Sequence, residues 1–199
     1  MGEVKTYNEI KLFHGSDVAV YIPDLIHSRD FLDFGKGFYL TKDNVTAGKW
    51  AATKTPSILT TYSVDLADLE CYTFRADSEW LQFVVSNRKN VPITKDYSNY
   101  DVLIGPTADD KLFNALADYV EGGLSEEVTI KIINGMHFSN QYLFRTEKAL
   151  SRLNYVGSKE LSGKELQDIK ERVRDDRING SKLYISLKQQ YLGGTYYGQ

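Results

Sequence analysis

Along this chain apolar residues switch between a two-residue and a three-to-four-residue spacing, and the switches mark its elements. Ile10 to Phe13 is an apolar run ending at His14-Gly15-Ser16, which predicts a strand entering a turn. Residues 17–36, with Pro23, Gly35 and scattered polar side chains, predict a loop. Gly37 to Thr41 predicts a short aromatic strand. Asp43 or Asn44 can cap a helix that carries Ala47, Trp50 and Ala51 on one side. Pro56 breaks that pattern, and Ile58 to Val64 predicts another strand. Asp77 or Ser78 can cap a helix with Trp80, Leu81, Val84 and Val85 facing inward.

Asp101 to Gly105 predicts a buried strand closed by Gly105-Pro106. From Asp109 to Val120, residues Leu112, Phe113, Leu116 and Tyr119 recur at helical spacing, with Asp109 and Asp110 at the helix start. Gly122-Gly123 stops it. Ser125, Glu126 and Glu127 open the next helix, where carboxylates suit the N-terminal dipole. Gln141 to Arg145 predicts a strand, and Thr146 caps a helix with Ala149, Leu150 and Leu153 inward. After Gly157 comes a charged helix over Gly163 to Ile178, then a tail rich in Tyr and Gly. Strands and helices mix without regular βαβ alternation, which predicts an α+β fold. The expected organisation is a domain over residues 1–157 and an extension over 158–199.

Composition narrows the function classes. The net charge of −3 gives no signature of a nucleic-acid binder. The extension carries 8 Lys/Arg against 6 Asp/Glu, a mild excess that reads as a solvated surface. The single cysteine, Cys71, excludes an intrachain disulfide and reads as a buried structural thiol. No apolar N-terminal run and no stretch of about 20 apolar residues occur, so the expectation is a cytoplasmic chain without a membrane span. There is no Gly-rich dinucleotide fingerprint, phosphate loop or paired cysteine, and His14, His27 and His137 are too dispersed for a metal motif. No metal is expected.

Three segments stand out together. They are Leu12-Phe13-His14-Gly15-Ser16; Phe34-Gly35-Lys36-Gly37-Phe38-Tyr39-Leu40, followed by Trp50; and Asn140-Gln141-Tyr142-Leu143-Phe144. In order and spacing they resemble the catalytic domain of poly(ADP-ribose) polymerases and related ADP-ribosyltransferases, with their His, Tyr, Glu arrangement. They also look like a bacterial branch of that superfamily with Gln in the third position. The resemblance spans roughly residues 10 to 156, with its strong matches at the three motifs. It implies split antiparallel β-sheets with flanking helices, and NAD as substrate.

Residue by residue, the resemblance implies that His14 offers a ring nitrogen to the adenosine ribose. Gly15 pairs through its backbone with the nicotinamide carboxamide, and Ser16 lies near the adenosine side. Tyr39 presses its ring on nicotinamide, and Trp50, eleven residues later, covers the other face. Gly35 and Gly37 let the backbone pass close to the ligand. Arg29, in the loop before Phe34, is a candidate for the pyrophosphate. Gln141 stands where the family has its catalytic Glu, and Ala47 where polymerases often have a Ser; Thr46 is adjacent.

A Gln can hydrogen-bond a ribose hydroxyl but cannot take its proton or supply negative charge. The implied activity is therefore mono-ADP-ribosyl transfer to a macromolecular acceptor, with release of nicotinamide. The alternatives are an NAD-binding module without transfer activity and an NAD glycohydrolase. The bacterial relatives imply a toxin or effector, for which a neutralising protein is a candidate partner. Taken singly, each residue has a structural reading as well: a histidine at a strand end, core aromatics, an ordinary glycine turn, and a polar strand residue.

Overall fold

The computed structural model describes residues 9–108, 112–136 and 138–193. Asp109, Asp110, His137 and the end of the Tyr/Gly tail lie outside the described residues. The fold is α+β: one mixed sheet of seven strands with helices against it. In chain order the elements are β1 (Ile10–Ser16), β2 (Phe38–Thr41), α1 (Asn44–Ala52), β3 (Ile58–Val64), β4 (Cys71–Thr73), α2 (Ser78–Lys89) and β5 (Val102–Pro106). They continue with α3 (Phe113–Val120), α4 (Glu126–Asn134), β6 (Asn140–Phe144), α5 (Glu147–Leu150), β7 (Asn154–Glu160) and α6 (Gly163–Gly193).

The strands lie in the order β4-β5-β6-β2-β1-β3-β7. Only β4 and β5 are parallel; the other neighbours are antiparallel. The expected split into antiparallel sheets is thus corrected to one hydrogen-bonded sheet with a parallel edge pair. The sheet is nonetheless weakly joined at its centre. β1 pairs with β3 over its whole length, from Ile10↔Val64 to Ser16↔Ile58, but with β2 only at Phe13↔Thr41. Beyond that bridge the two strands diverge.

Helix starts follow the local chemistry. Asp43 accepts from Val45 N, Asp77 from Trp80 N, Ser125 from Val128 N and Thr146 from Ala149 N. Each side chain satisfies a first-turn N–H that has no partner within the helix. On one face of the sheet Leu12, Phe38, Leu40, Tyr62, Val102, Ile104, Tyr142 and Phe144 form a core. On the other face α2, α3 and α4 close over Leu103 and Leu143 around Trp80, Leu81, Phe83 and Ile133. α1 covers the β1–β3 half through Ala47, Ala51 and Leu59. In α2 it is Phe83, rather than the expected Val85, that is buried; Val85 is half-buried.

Five elements depart from expectation. α5 stops at Leu150, so Leu153, expected on its inner face, lies beyond the helix and is half-buried against the core. The segment His14-Gly15-Ser16 is strand, not turn, because β3 supplies Thr60, Leu59 and Ile58 as ladder partners. β4 and β7 carry no clear strand signal in the sequence. The first has three residues, and the second, Asn-Tyr-Val-Gly-Ser-Lys-Glu, is an almost wholly exposed edge strand without an apolar rhythm. β7 also runs across the expected boundary at 157/158. The charged helix extends from Gly163 to Gly193, well past Ile178. Leu166 and Ile169 of α6 pack against α1, and Tyr184, Leu187 and Tyr191 join the core that includes α4. That burial carries the helix through Asn179-Gly180, where local propensity alone favours a stop.

Candidate functional site

The divergence of β1 from β2 opens a cleft with a volume of about 890 Å³. His14, Gly15, Ser16, Arg29, Gly37, Tyr39, Trp50 and Gln141 all line it. The sheet's alternation explains why a divergence is needed. His14 projects to the face of Leu12 and Phe38, whereas Tyr39 and Gln141 project to the opposite face. Side chains from two faces of a sheet share a cavity only where neighbouring strands part.

His14 Nδ1 lies 2.8 Å from the main-chain oxygen of Tyr39. A carbonyl can only accept, so Nδ1 carries the proton and Nε2 is left as an acceptor. Phe38 stacks on the imidazole with ring centroids 4.4 Å apart. Burial pulls the His14 pKa below its ordinary value, against the opposing influences of the Tyr39 carbonyl and the Asp17 charge. The ring is therefore neutral at neutral pH, with its acceptor nitrogen fixed.

The Tyr39 hydroxyl is fully engaged. It donates to Gly35 O at 2.7 Å and accepts from Phe34 N at 3.0 Å. Burial, reinforced by the Asp33 charge, pushes its pKa far up, so the hydroxyl stays protonated at neutral pH. What it offers the cleft is its ring. Ser28 holds Gly37 at both ends, accepting from Gly37 N at 2.7 Å and donating to Gly37 O at 3.1 Å.

The glycines have structural reasons of their own. A Cβ on Gly15 would lie 2.0 Å from Ala47 O and 2.6 Å from Ala51 N, so β1 and α1 touch only because this residue is Gly. Gly37 has φ +152, and its Cβ would meet Leu143 Cδ1 at 2.4 Å and Phe144 O at 2.7 Å. The close approach expected towards a ligand is, at Gly37, an approach to β6. Gly35 has φ +81 and faces Asn87. Ser16 Oγ donates to Val18 O at 2.8 Å, which leaves its lone pairs to accept. Ala47 is fully buried against β1, and the Thr46 hydroxyl is tied to Asp43 Oδ2 at 2.7 Å and to Ser139 Oγ at 3.0 Å. Neither reaches the cleft.

Gln141 is 3 % exposed at the back of the cleft. Its Nε2 donates to Asp33 Oδ2 and to Pro106 O, each at 3.3 Å. Asp33, absent from the sequence-based candidates, stands immediately before Phe34-Gly35. Arg88 Nε donates to its Oδ1 at 2.8 Å and Ala108 N to its Oδ2 at 3.1 Å. The signal that could have found it is its place: a carboxylate adjoining a motif already singled out. Asp17, Asp24, His27 and Lys54 also line the cavity. Cys71 lies away from it, half-buried on β4, and burial raises its thiol pKa. Among the described residues there is no group of three or more His, Cys, Asp or Glu able to hold a metal ion. Among them, too, no helix is long and apolar enough to cross a membrane.

Apolar side chains such as Val20, Phe38 and Trp50 and charged ones such as Asp17, Asp24, Arg29 and Lys54 share the lining of this cleft. Residues 10–155 match the family described as protein of unknown function (DUF3990), and the chain belongs to that family. That span holds β1 to β6 and every residue named above as lining the cleft. No curated protein and no solved structure matches the chain.

Proposed function

We propose that the protein binds NAD in this cleft and transfers its ADP-ribose to a macromolecular acceptor, on an ADP-ribosyltransferase-like scaffold. The observation that carries the reading is convergence: the three motifs resembling that superfamily are remote in sequence, yet their candidate residues border one cavity.

In this reading His14 Nε2 accepts from the adenosine ribose, and the Tyr39 and Trp50 rings hold nicotinamide between them. A cationic ring over Trp gains about 0.5–2 kcal/mol. Gly15 serves the carboxamide, Ser16 the adenosine side, and Arg29 the pyrophosphate. Gln141 accepts from the ribose near the reacting carbon. The bond that breaks joins nicotinamide nitrogen to ribose C1′, and the electron pair leaves with nicotinamide. The bond that forms joins C1′ to an acceptor nucleophile, whose proton goes to solvent. The developing centre is oxocarbenium-like, and the departing ring is already cationic, so alignment matters more than acid catalysis.

Val18, Tyr21 and Ile22 line the cleft and are exposed, Ile22 at 85 %. Apolar side chains gathered at a cavity mouth suit contact with another macromolecule, which favours transfer over hydrolysis. A toxin or effector role, with a neutralising protein as partner, rests on the motif resemblance alone.

The test is incubation of the protein with NAD labelled in its adenylate moiety and a cell lysate. Labelled bands together with free nicotinamide support transfer. Free nicotinamide with labelled ADP-ribose in solution and no bands makes the protein a glycohydrolase. Tight NAD binding with neither product makes it a binding module, the reading that an amide at position 141 favours. Absence of binding and turnover overturns the proposal.

A further inference from the structure

Gln141 poses a chemical question that its neighbours answer. A side-chain amide has a donor end and an acceptor end, and which end faces a ligand decides what it can do. Among the described residues, both groups within hydrogen-bond distance of this amide are acceptors: the Asp33 carboxylate and the Pro106 main-chain oxygen, each at 3.3 Å. The amide nitrogen must therefore point at them. Oε1 then has no partner among the described residues, and the side chain lines the cavity. The only fully enclosed side-chain polar atom without a partner, among the described residues, is Thr60 Oγ1. Oε1 is thus open to the cleft.

Asp33 is itself held rigidly. Arg88 grips Oδ1 through Nε at 2.8 Å and Nη2 at 2.6 Å, while Oδ2 accepts from Ala108 N at 3.1 Å. Its main-chain oxygen accepts from Asn87 Nδ2 at 3.2 Å. The side chain is 17 % exposed. Arg88 in turn donates to Ala108 O at 2.6 Å. A loop residue is thereby fixed by α2 and by the turn after β5, and it passes that order to β6.

We propose that Asp33 is the positioning residue of the cleft: by holding the Gln141 amide through its nitrogen, it presents Oε1 to the ligand as a fixed hydrogen-bond acceptor. The pair thus offers the accepting oxygen of a carboxylate at position 141 while keeping the charge one hydrogen bond further back. Resting on the NAD reading, the donor to Oε1 is a hydroxyl of the ribose that loses nicotinamide. The arrangement also gives position 141 a reason to be Gln. A Glu there would set two carboxylates against each other and a carboxylate oxygen against Pro106 O.

The experiment compares wild type, Asp33→Asn, Gln141→Glu and the double variant Asp33→Asn/Gln141→Glu. Nicotinamide release from NAD gives kcat and KM, and nitrogen-15 NMR of the Gln141 side-chain amide reads its orientation without NAD. In Asp33→Asn the new amide cannot accept from Arg88, Ala108 and Gln141 together, so the Gln141 amide is freed to turn over. In that variant kcat is expected to fall at least tenfold with KM for NAD within threefold, and the Gln141 amide protons to lose their exchange protection. Gln141→Glu is expected to lose turnover as well. The double variant restores an amide–carboxylate pair and is expected to recover at least fivefold over Gln141→Glu alone. Wild-type kcat in Asp33→Asn, or a double variant no better than Gln141→Glu, overturns the proposal. If wild type neither binds nor cleaves NAD, the functional reading fails. The NMR comparison then decides the orientation: protection lost on Asp33→Asn upholds it, and protection unchanged refutes it.

Discussion

The imidazole of His14 donates through Nδ1 to the main-chain oxygen of Tyr39, 2.8 Å away, across the gap where β1 and β2 have parted. Past Phe13↔Thr41 no further β1–β2 residue pair is in register. A side chain therefore replaces a backbone ladder, and the replacement has two effects. It satisfies a carbonyl that the divergence would otherwise orphan, and it fixes the tautomer that faces the cleft.

Replacing His14 with Ala is expected to raise the dissociation constant for NAD more than tenfold while the chain stays folded. The ring is half-buried rather than central to the core, and its losses are one hydrogen bond and the stacking on Phe38, about 1–2 kcal/mol together. Isothermal titration with NAD and a thermal melt check both halves. Unchanged affinity would remove His14 from the site.

The same imidazole sets a pH dependence. Burial keeps its folded-state pKa below the ordinary 6.5. As pH falls through 6.5 the unfolded chain takes up the proton and the folded chain does not, so the unfolded state binds more protons and stability declines. Melting temperature is expected to drop from about pH 7 towards about pH 5, and to drop less steeply in His14→Ala. Parallel curves for the two proteins would show that the decline has another source.

Tyr39 separates ring from hydroxyl. Since Oη is held by Gly35 O and Phe34 N, Tyr39→Phe keeps the ring but frees the loop. Nicotinamide release is expected to stay within about threefold of wild type, with a stability loss of about 1 kcal/mol. Tyr39→Ala should abolish release. A Phe variant as inactive as the Ala variant would mean the hydroxyl takes part in the reaction.

Gly15→Ala tests the seat of α1. Its Cβ would press into main-chain atoms of Ala47 and Ala51, which cannot rotate away. Destabilisation is expected to exceed about 2 kcal/mol, at the upper end of overpacking penalties, and to carry Trp50 away from the cleft with its helix. Gly157→Ala in β7 meets nothing within 4 Å and serves as the control, with a change within about 0.5 kcal/mol. Chemical denaturation of both variants gives the comparison.

Asp43→Ala removes the cap of α1, losing its bonds to Val45 N and to the Thr46 hydroxyl. A cost of about 0.5–2 kcal/mol is expected. Because α1 carries Trp50, affinity for NAD should weaken with it, whereas Asp77→Ala, at the cap of α2, should cost similar stability with affinity kept. Equal losses of affinity in both would detach α1 from the site.

Local chemistry alone determined much of this protein. The caps at Ser125 and Thr146, those at Asp43 and Asp77 to within one residue, the apolar rhythm of β3 and α2, and the α+β class were legible because each depends on neighbours a few residues away. The three candidate motifs were legible for the same reason, as compact strings. Tertiary structure decided what depends on distant partners. β7 is a strand because β3 offers it a ladder, not because its polar sequence asks for one. α6 runs through Gly180 because the domain's surface buries its apolar side chains on either side of that glycine. The parting of β1 from β2 lets side chains from opposite faces of a sheet meet. Asp33 gained its place beside Gln141 only when a loop, a helix and a strand were brought within hydrogen-bonding distance. No local pattern records such a meeting, because its partners lie 108 residues apart in the chain.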